Sequence, residues 1–389
     1  MRASMVRACA EVRGRARAQP PGMGWLTASY IVDCAARDIE QRAAQIASEQ
    51  SVECPLEAIV DERILDEIVA RVVGIERSGK GRYRVDVEIA TQTIGTNPAQ
   101  FVNMVFGNAS LWDDVMFAGL DVPESILAMF PGPRHGSDGI RKLLRVPSRP
   151  LTNAAMKPQG LHVPELAALC RTFALAGVDI IKDDHGIDDQ LYSPFHERVR
   201  ACQAAIAEAH RASGKTALYA PNLIGPPKVL HERARIAREE GVRAVLVAPM
   251  LVGLPAFFEL VEAFPDFVYL AHPSFGGARS IAPEFLFGRL LRLFGSDAII
   301  FVNVGGRFGY TRDTCAALAA NARAPWGELK PALPVPAGGM KMDRIEELLD
   351  FYGADTMLLI GGNLLVDRER VLERTREFVE RVMAWSPAR

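Results

Sequence analysis

The chain of 389 residues is poor in cysteine, and its cysteines do not pair by spacing. Cys9, Cys34, Cys54, Cys170, Cys202 and Cys315 are scattered, and no CxxC occurs. That excludes a disulfide framework or a zinc knuckle and fits a reducing cytoplasm. Charge of one sign is lacking too. Lys and Arg number 45 against 47 Asp and Glu, a net charge of −2, so there is no electrostatic case for binding nucleic acid or a membrane surface. No apolar run reaches the roughly 18–20 residues of a membrane span. Aromatics make up 7% beside 49% hydrophobic residues, a balance that suits an α/β enzyme core better than an all-β sandwich. A Gly-rich dinucleotide fingerprint after a first strand is absent, which weakens the case for a doubly wound sheet.

What is present divides into three stretches. Residues 1–22 carry Arg2, Arg7, Arg13, Arg15 and Arg17 with Glu11 as the single acid. They read either as a transit peptide or as an over-extended start with Met23 as initiator, and stand apart from the fold. Residues 23–143 read as an α+β domain. It has strands at Leu26–Val32, Arg71–Ile75, Tyr83–Ile89 and Val115–Leu120, helices at Asp38–Glu49 and Ala99–Phe106, and a Pro/Gly-rich link, Phe130–Gly136. From 144 to 389 short apolar strands alternate with helices. The strands fall at 151–157, 178–184, 216–222, 244–249, 268–273, 298–304, 331–336 and 355–360. Helices are expected at Pro164–Leu175, Phe195–Ala212, Lys228–Glu240, Pro255–Phe264 and Ala282–Phe294. Eight such units make a (β/α)8 TIM barrel, so the fold class is α/β, a C-terminal barrel preceded by an α+β domain.

Barrel active sites lie where the strands end. Here those ends carry Lys157-Pro158-Gln159, Lys182-Asp183-Asp184-His185, Asn222, His272-Pro273, Asn303, Arg307, Gly338-Gly339 and Gly361-Gly362. The strand starts show no comparable cluster. A strand running from Gly177-Val178-Asp179 into Lys182–His185 is costly unless its charges pair or bind a metal. Period-two alternation puts Lys182 and Asp184 on one face, and Asp183 and His185 on the other, unless the strand end twists. Two readings of Lys182 and Asp184 stand side by side: a buried ion pair that positions the next loop, or a hard-metal site using Asp oxygens. A lysine amine becomes an oxygen ligand only when carbamylated. His185 is a nitrogen donor, poorly matched to Mg²⁺, and reads equally as a substrate hydrogen-bonding residue. Lys157, facing Lys182 across the mouth, reads as a general base lowered by like charge, or as half of a rim salt bridge. The glycine pairs after strands seven and eight let backbone N–H groups approach a phosphate.

These motifs, with Phe130–Gly136, Met156-Lys157-Pro158, Gly177–Asp184, Leu333–Gly339 and Gly361-Gly362, resemble the RuBisCO superfamily, large-subunit type, over about Met23 to Leu365. The resemblance implies that Lys182 is carbamylated to bind Mg²⁺, with Asp184 as a ligand and His185 at the family's glutamate-ligand position. It implies that Lys157 is the enolising base, that Asn222 and His272 line the pocket, and that Arg307 takes the place of the mobile loop lysine. It assigns phosphate to Gly338, Gly339, Gly361 and Gly362. Glu49 and Asn108 would reach a neighbouring subunit's pocket in a homodimer with shared active sites. The departures are Gln159 for a second lysine, Pro273 and Ile300 for an arginine and a histidine of the second phosphate site, Ala337 for a serine, and Arg307 for a lysine. They imply a RuBisCO-like protein acting on a monophosphate, not a carboxylase. The Lys-Asp-Asp-His variant resembles members that decarboxylate or hydrolyse 3-oxo-isoapionate 4-phosphate, a carbon–carbon lyase or hydrolase of carbohydrate catabolism. The second reading is a 2,3-diketo-5-methylthiopentyl-1-phosphate enolase or 5-methylthioribulose-1-phosphate isomerase of methionine salvage. A non-enzymatic binding protein is a third; His185 favours it, and Lys157, Lys182 and Asp184 oppose it.

Overall fold

The computed structural model describes residues 24–277, 280–306 and 309–387. The N-terminal extension expected at 1–22 lies outside the described residues. The chain divides into two compact units, one with the residues up to Phe130 and 280–285, the other with Pro131–Gly277 and the residues from Leu286 on.

The first unit is built on four antiparallel strands, β1 (Trp25–Asp33), β2 (Arg71–Gly79), β3 (Arg82–Ala90) and β4 (Val115–Asp121), in the order β2-β3-β1-β4. Period-two alternation buries Leu26, Ala28, Tyr30 and Val32 from β1 and Tyr83, Val85, Val87 and Ile89 from β3. The helix Ile39–Glu49 meets this sheet through Ile39, Ala43, Ile46 and Ala47, the i, i+4, i+7, i+8 stripe of an amphipathic helix. Asn97 opens the helix Pro98–Phe106 by accepting from the N–H groups of Ala99 and Gln100. That helix delivers Phe106 to an aromatic cluster with Tyr30 and Phe117, and the Tyr30 hydroxyl donates to Val105 O at 2.5 Å. Fully burying an aromatic side chain of this kind is worth ~1.5–3 kcal/mol.

The second unit carries parallel strands β5 (Leu151–Met156), β6 (Ile180–Asp183), β7 (Leu218–Ala220), β8 (Asn222–Leu223), β9 (Ala244–Val247), β10 (Val268–Ala271), β11 (Ala298–Val302), β12 (Leu333–Ala337) and β13 (Met357–Ile360). They pair as β13-β5-β6-β7 and β8-β9-β10-β11-β12, and β12 lies beside β13, which brings the barrel round. β7 and β8 are one barrel strand cut at Pro221, which has no N–H to give the ladder. Inward side chains such as Leu151, Ile180, Leu246, Leu270, Ile300, Val335 and Leu359 form one buried cluster. All eight expected strands are found, each within a few residues of its expected limits.

Two features differ from expectation, the unit boundary and one helix. The unit boundary falls at Phe130, before the helix Gly136–Leu144, and not at 143/144. Ile140 and Leu144 of that helix are buried in the barrel cluster, and Asp297 accepts from the N–H groups of His135 and Gly136 at 2.6 Å, so the segment belongs with the barrel. The strand starts carry isolated acids engaged within the fold, no cluster like that of the mouth. Asp179 accepts a bidentate pair from Arg149 and two bonds from Thr152, and Asp297 takes a third N–H from Tyr269, so both carboxylates are buried and satisfied. The helix expected over Ala282–Phe294 has a π-helical middle, Leu286–Leu290, between the α segments Pro283–Phe285 and Leu291–Leu293. A Cβ at Gly288 would stand 2.5 Å from Asn321 Cβ, so the helix Arg312–Arg323 packs against this turn at a distance only glycine allows.

Candidate functional site

β6 delivers its charges to two different places. Lys182 points into the barrel mouth and is 2% exposed. Asp183 points away and is fully buried, where it accepts from Arg198 Nε at 3.1 Å, the Tyr219 hydroxyl at 2.8 Å and the N–H of Asn222 at 3.0 Å. Past the strand end the chain turns, and His185 joins Lys182 and Asp184 in the same cavity, the twist that strict alternation left open. Side-chain amides hold that turn by its carbonyls. Asn222 Nδ2 donates to His185 O and Ile187 O at 2.9 Å, and Gln159 Nε2 to Gly186 O at 2.7 Å.

The cavity measures about 760 Å³. It brings together Lys157, Lys182, Asp184, His185, His272, Gly338, Gly339, Gly361 and Gly362 of the sequence-derived set. Lys157 Nζ sits 2.7 Å from Asp184 Oδ2, and His185 Nδ1 is 3.4 Å from Asp184 Oδ1. Burial works against the Asp184 carboxylate, but hydrogen bonds from His185 and Lys157 and the charge of Lys182 hold it well below the usual carboxylate range. The Lys182 amine donates to Asp183 O at 2.7 Å. Burial, aided by the charge of Lys157 and opposed by Asp184, brings its pKa down to about 8. Of the two readings of Lys157, a base beside like charge or half of a rim salt bridge, the structure shows the ion pair, with Asp184. Gly361 makes room for that pair, since a Cβ there would lie 3.3 Å from Lys157 Cε.

His272 stacks on His185, ring centroids 4.3 Å apart and planes at 14°. Its Nδ1 accepts from the Ser274 N–H at 3.2 Å, so the ring proton resides on Nε2. Burial first, then the charges of Lys182 and His185, lower its pKa to about 2, which makes it a neutral donor.

Other expected site residues lie elsewhere. Asn222 does not line the cavity; it is buried and engaged in holding the turn after β6. Glu49 and Asn108 are in the first unit, exposed or half-exposed, with Asn108 Nδ2 donating to Glu49 Oε1 at 2.8 Å. Arg307 lies outside the described residues. Among the lining residues that the sequence reading did not name are Phe287, Tyr310, Met340 and Lys341. Phe287 comes from the π-helical turn, whose register no 3.6-residue period reveals. Lys341 follows the first glycine pair by two residues, and that spacing was a usable signal. With Pro273, Ile300 and Phe301, Phe287 gives the mouth an apolar wall.

Among the described residues no group of three or more His, Cys, Asp and Glu forms a metal centre. Asp184 and His185 are two donors, and the third is available only from Lys182 as a carbamate. A buried amine with a lowered pKa suits that modification, because the neutral amine is the form that attacks CO2. The donor set therefore fits Mg²⁺ with two oxygen ligands and one less favoured nitrogen.

The family model described as ribulose bisphosphate carboxylase large chain, catalytic domain, matches residues 137–366. Ribulose bisphosphate carboxylase-like protein 1 of Rhodopseudomonas palustris is 48% identical over 354 residues, 91% of this chain and 96% of that one. A 5-methylthioribulose-1-phosphate isomerase of Rhodospirillum rubrum is 47% identical over 358 residues, 92% of this chain and 96% of that one. The crystal structure of a Rubisco-like protein from Rhodopseudomonas palustris superposes with a TM-score of 0.87 at 45% identity, over 94% of this chain and 99% of that one. With a lysine and an aspartate at the end of the second barrel strand and glycine pairs after the seventh and eighth, this chain belongs to the RuBisCO large-chain family, among its RuBisCO-like (form IV) members.

Proposed function

We propose that this enzyme isomerises 5-methylthioribulose 1-phosphate by moving a proton next to the ketone carbonyl. The observation that carries the reading is the two-sided cavity. Glycine loops after β12 and β13 offer backbone N–H groups to one phosphate, while Pro273 after β10, Ile300 and Phe301 of β11 and Phe287 present an apolar surface where a second phosphate would need charge. A methylthio group suits that surface. A branched sugar acid, polar throughout, suits it poorly, so the decarboxylase or hydrolase reading has less support than the isomerase one. The isomerase name of the Rhodospirillum rubrum relative supports the same choice.

In this reading Lys157 moves the proton, from a position at the end of β5 beside the glycine loop. His272, neutral and with its proton on Nε2, donates to a substrate oxygen as charge develops there. Lys182 as carbamate, Asp184 and His185 would hold Mg²⁺, which supplies Lewis-acid stabilisation of an enediolate. The same enediolate chemistry serves an enolase, and the fate of the enediolate decides the product. Glu49 and Asn108 would complete the cavity of a partner in a homodimer.

The test is ³¹P and ¹H NMR of the purified protein with Mg²⁺ and 5-methylthioribulose 1-phosphate in D2O. A new phosphate ester resonance is expected, with deuterium entering next to the carbonyl and no CO2 released. Inertness toward this substrate, with CO2 evolved from 3-oxo-isoapionate 4-phosphate, would sink the reading. Turnover only of 2,3-diketo-5-methylthiopentyl 1-phosphate would make the protein an enolase. Lys157→Ala is expected to lower kcat about a hundredfold and to slow deuterium exchange equally, since it removes the proton carrier. Exchange at the wild-type rate in this variant would assign the base elsewhere.

A further inference from the structure

We propose that Lys341 is the cation that neutralises the substrate's phosphate, acting together with the glycine backbone after β12 and β13; the inference rests on the reading of this cavity as a site for a phosphorylated substrate. Backbone N–H groups carry only partial charges, and a phosphate near neutral pH carries between one and two negative charges. Three lysines line the cavity among the described residues: Lys157, Lys182 and Lys341. The first is paired with Asp184 at 2.7 Å, and the second is buried and donates to Asp183 O at 2.7 Å. The Lys341 side chain makes no hydrogen bond or ion pair among the described residues.

The loop is shaped to present that lysine. Gly338 and Gly339 take φ of +87° and +82°, left-handed values that glycine tolerates without strain. Beyond them Met340 and Met342 are buried, at 5% and 9% exposure, and Lys341 between them is exposed at the cavity. The Met342 N–H donates to Asn363 Oδ1 at 3.4 Å, which holds this loop beside the one carrying Gly361 and Gly362. A Cβ at Gly362 would meet nothing within 4 Å, so that backbone borders open space. A flexible four-carbon stem ending in three donors can follow a phosphate into such a cradle.

Calorimetric titration of the full chain with inorganic phosphate reads the site without knowledge of the substrate. Wild type is expected to bind phosphate, Lys341→Ala to bind it about 10- to 100-fold more weakly, and Lys341→Arg to stay within a few-fold of wild type. With 5-methylthioribulose 1-phosphate, Lys341→Ala is expected to raise KM at least about tenfold and to lower kcat far less, the pattern of lost uniform binding. Unchanged phosphate affinity in Lys341→Ala, or no phosphate uptake by wild type, would overturn the proposal. If the methylthio sugar is not turned over but phosphate binding still depends on Lys341, the isomerase reading falls and the phosphate assignment stands. Thermal melts of both variants confirm that each is folded.

Discussion

Lys182→Met is expected to abolish turnover, with kcat/KM down at least about 10⁴-fold, and at the same time to make the protein more stable. The two effects share one cause. The Lys182 amine is buried at the mouth of the barrel, its Nζ donating to a single carbonyl, with its pKa lowered to about 8. A lysine whose folded pKa lies below its unfolded value costs stability wherever both states are protonated. The cost is full below about pH 8 and fades as pH rises toward the unfolded value of about 10.4. Methionine fills similar volume without the charge, so a gain of ~1–3 kcal/mol is expected at pH 7 and a smaller gain at pH 9. Denaturant titrations at both pH values read that difference. A gain independent of pH would show that burial of the ammonium is not its source. The same depressed pKa leaves about a tenth of the amine neutral at pH 7, so preincubation of wild type with Mg²⁺ at a fixed concentration of dissolved CO2 is expected to activate it faster as pH rises toward 8. If Lys182→Met retains turnover within tenfold of wild type, the carbamate has no part in the reaction.

Much of this site was legible because barrel strands leave a local record. Each is a short apolar run bounded by turn residues, and the residues just after each run are the ones that meet at the mouth. Lys157, Lys182, His272 and the glycine pairs were found by that rule and line one cavity. Residues whose role depends on distant partners left no such record. Asp183 looks like its neighbours in sequence, yet its partners Arg198, Tyr219 and Asn222 are 15, 36 and 39 positions away. Asn222 sits at a strand end, as pocket residues do, but both of its side-chain donor bonds go to the turn after β6. The helix Gly136–Leu144 was hidden because it starts directly after a Pro/Gly-rich link and contains two glycines itself. Its place with the barrel is explained by Ile140 and Leu144, whose burial only the closed barrel accounts for. For Lys157 the sequence left two surroundings open, like charge from Lys182 or a rim salt bridge. The salt bridge is the one that forms, and its carboxylate, Asp184, comes from a turned strand end that no local pattern marks.

Asp183→Ala tests how far the site depends on the layer behind it. Arg198 and Asp183 are both inaccessible to solvent and 3.1 Å apart. Burial works against the guanidinium, and the charge of Asp183 leads the interactions that together outweigh it and raise its pKa. Removing the carboxylate leaves a buried cation with carbonyl and hydroxyl acceptors at Asp188 and Ser193 but no countercharge. Breaking a buried pair from one side costs ~3–5 kcal/mol, a large part of the ~5–15 kcal/mol that holds a typical domain together. The Tyr219 hydroxyl and the Asn222 N–H lose their acceptor in the same step, and Asn222 is the residue that fixes His185 and Ile187. Stability and activity are therefore expected to fall together, by denaturant titration and by kcat/KM. Replacing both members, Asp183→Leu with Arg198→Met, removes the uncompensated charge, so this double variant is expected to regain more than half of the lost stability. Activity is not expected to return with it, because no apolar side chain can accept the Asn222 N–H and hold the turn that carries Asp184 and His185. Recovery of both quantities in the double variant would show that the pair stabilises the barrel without positioning the site.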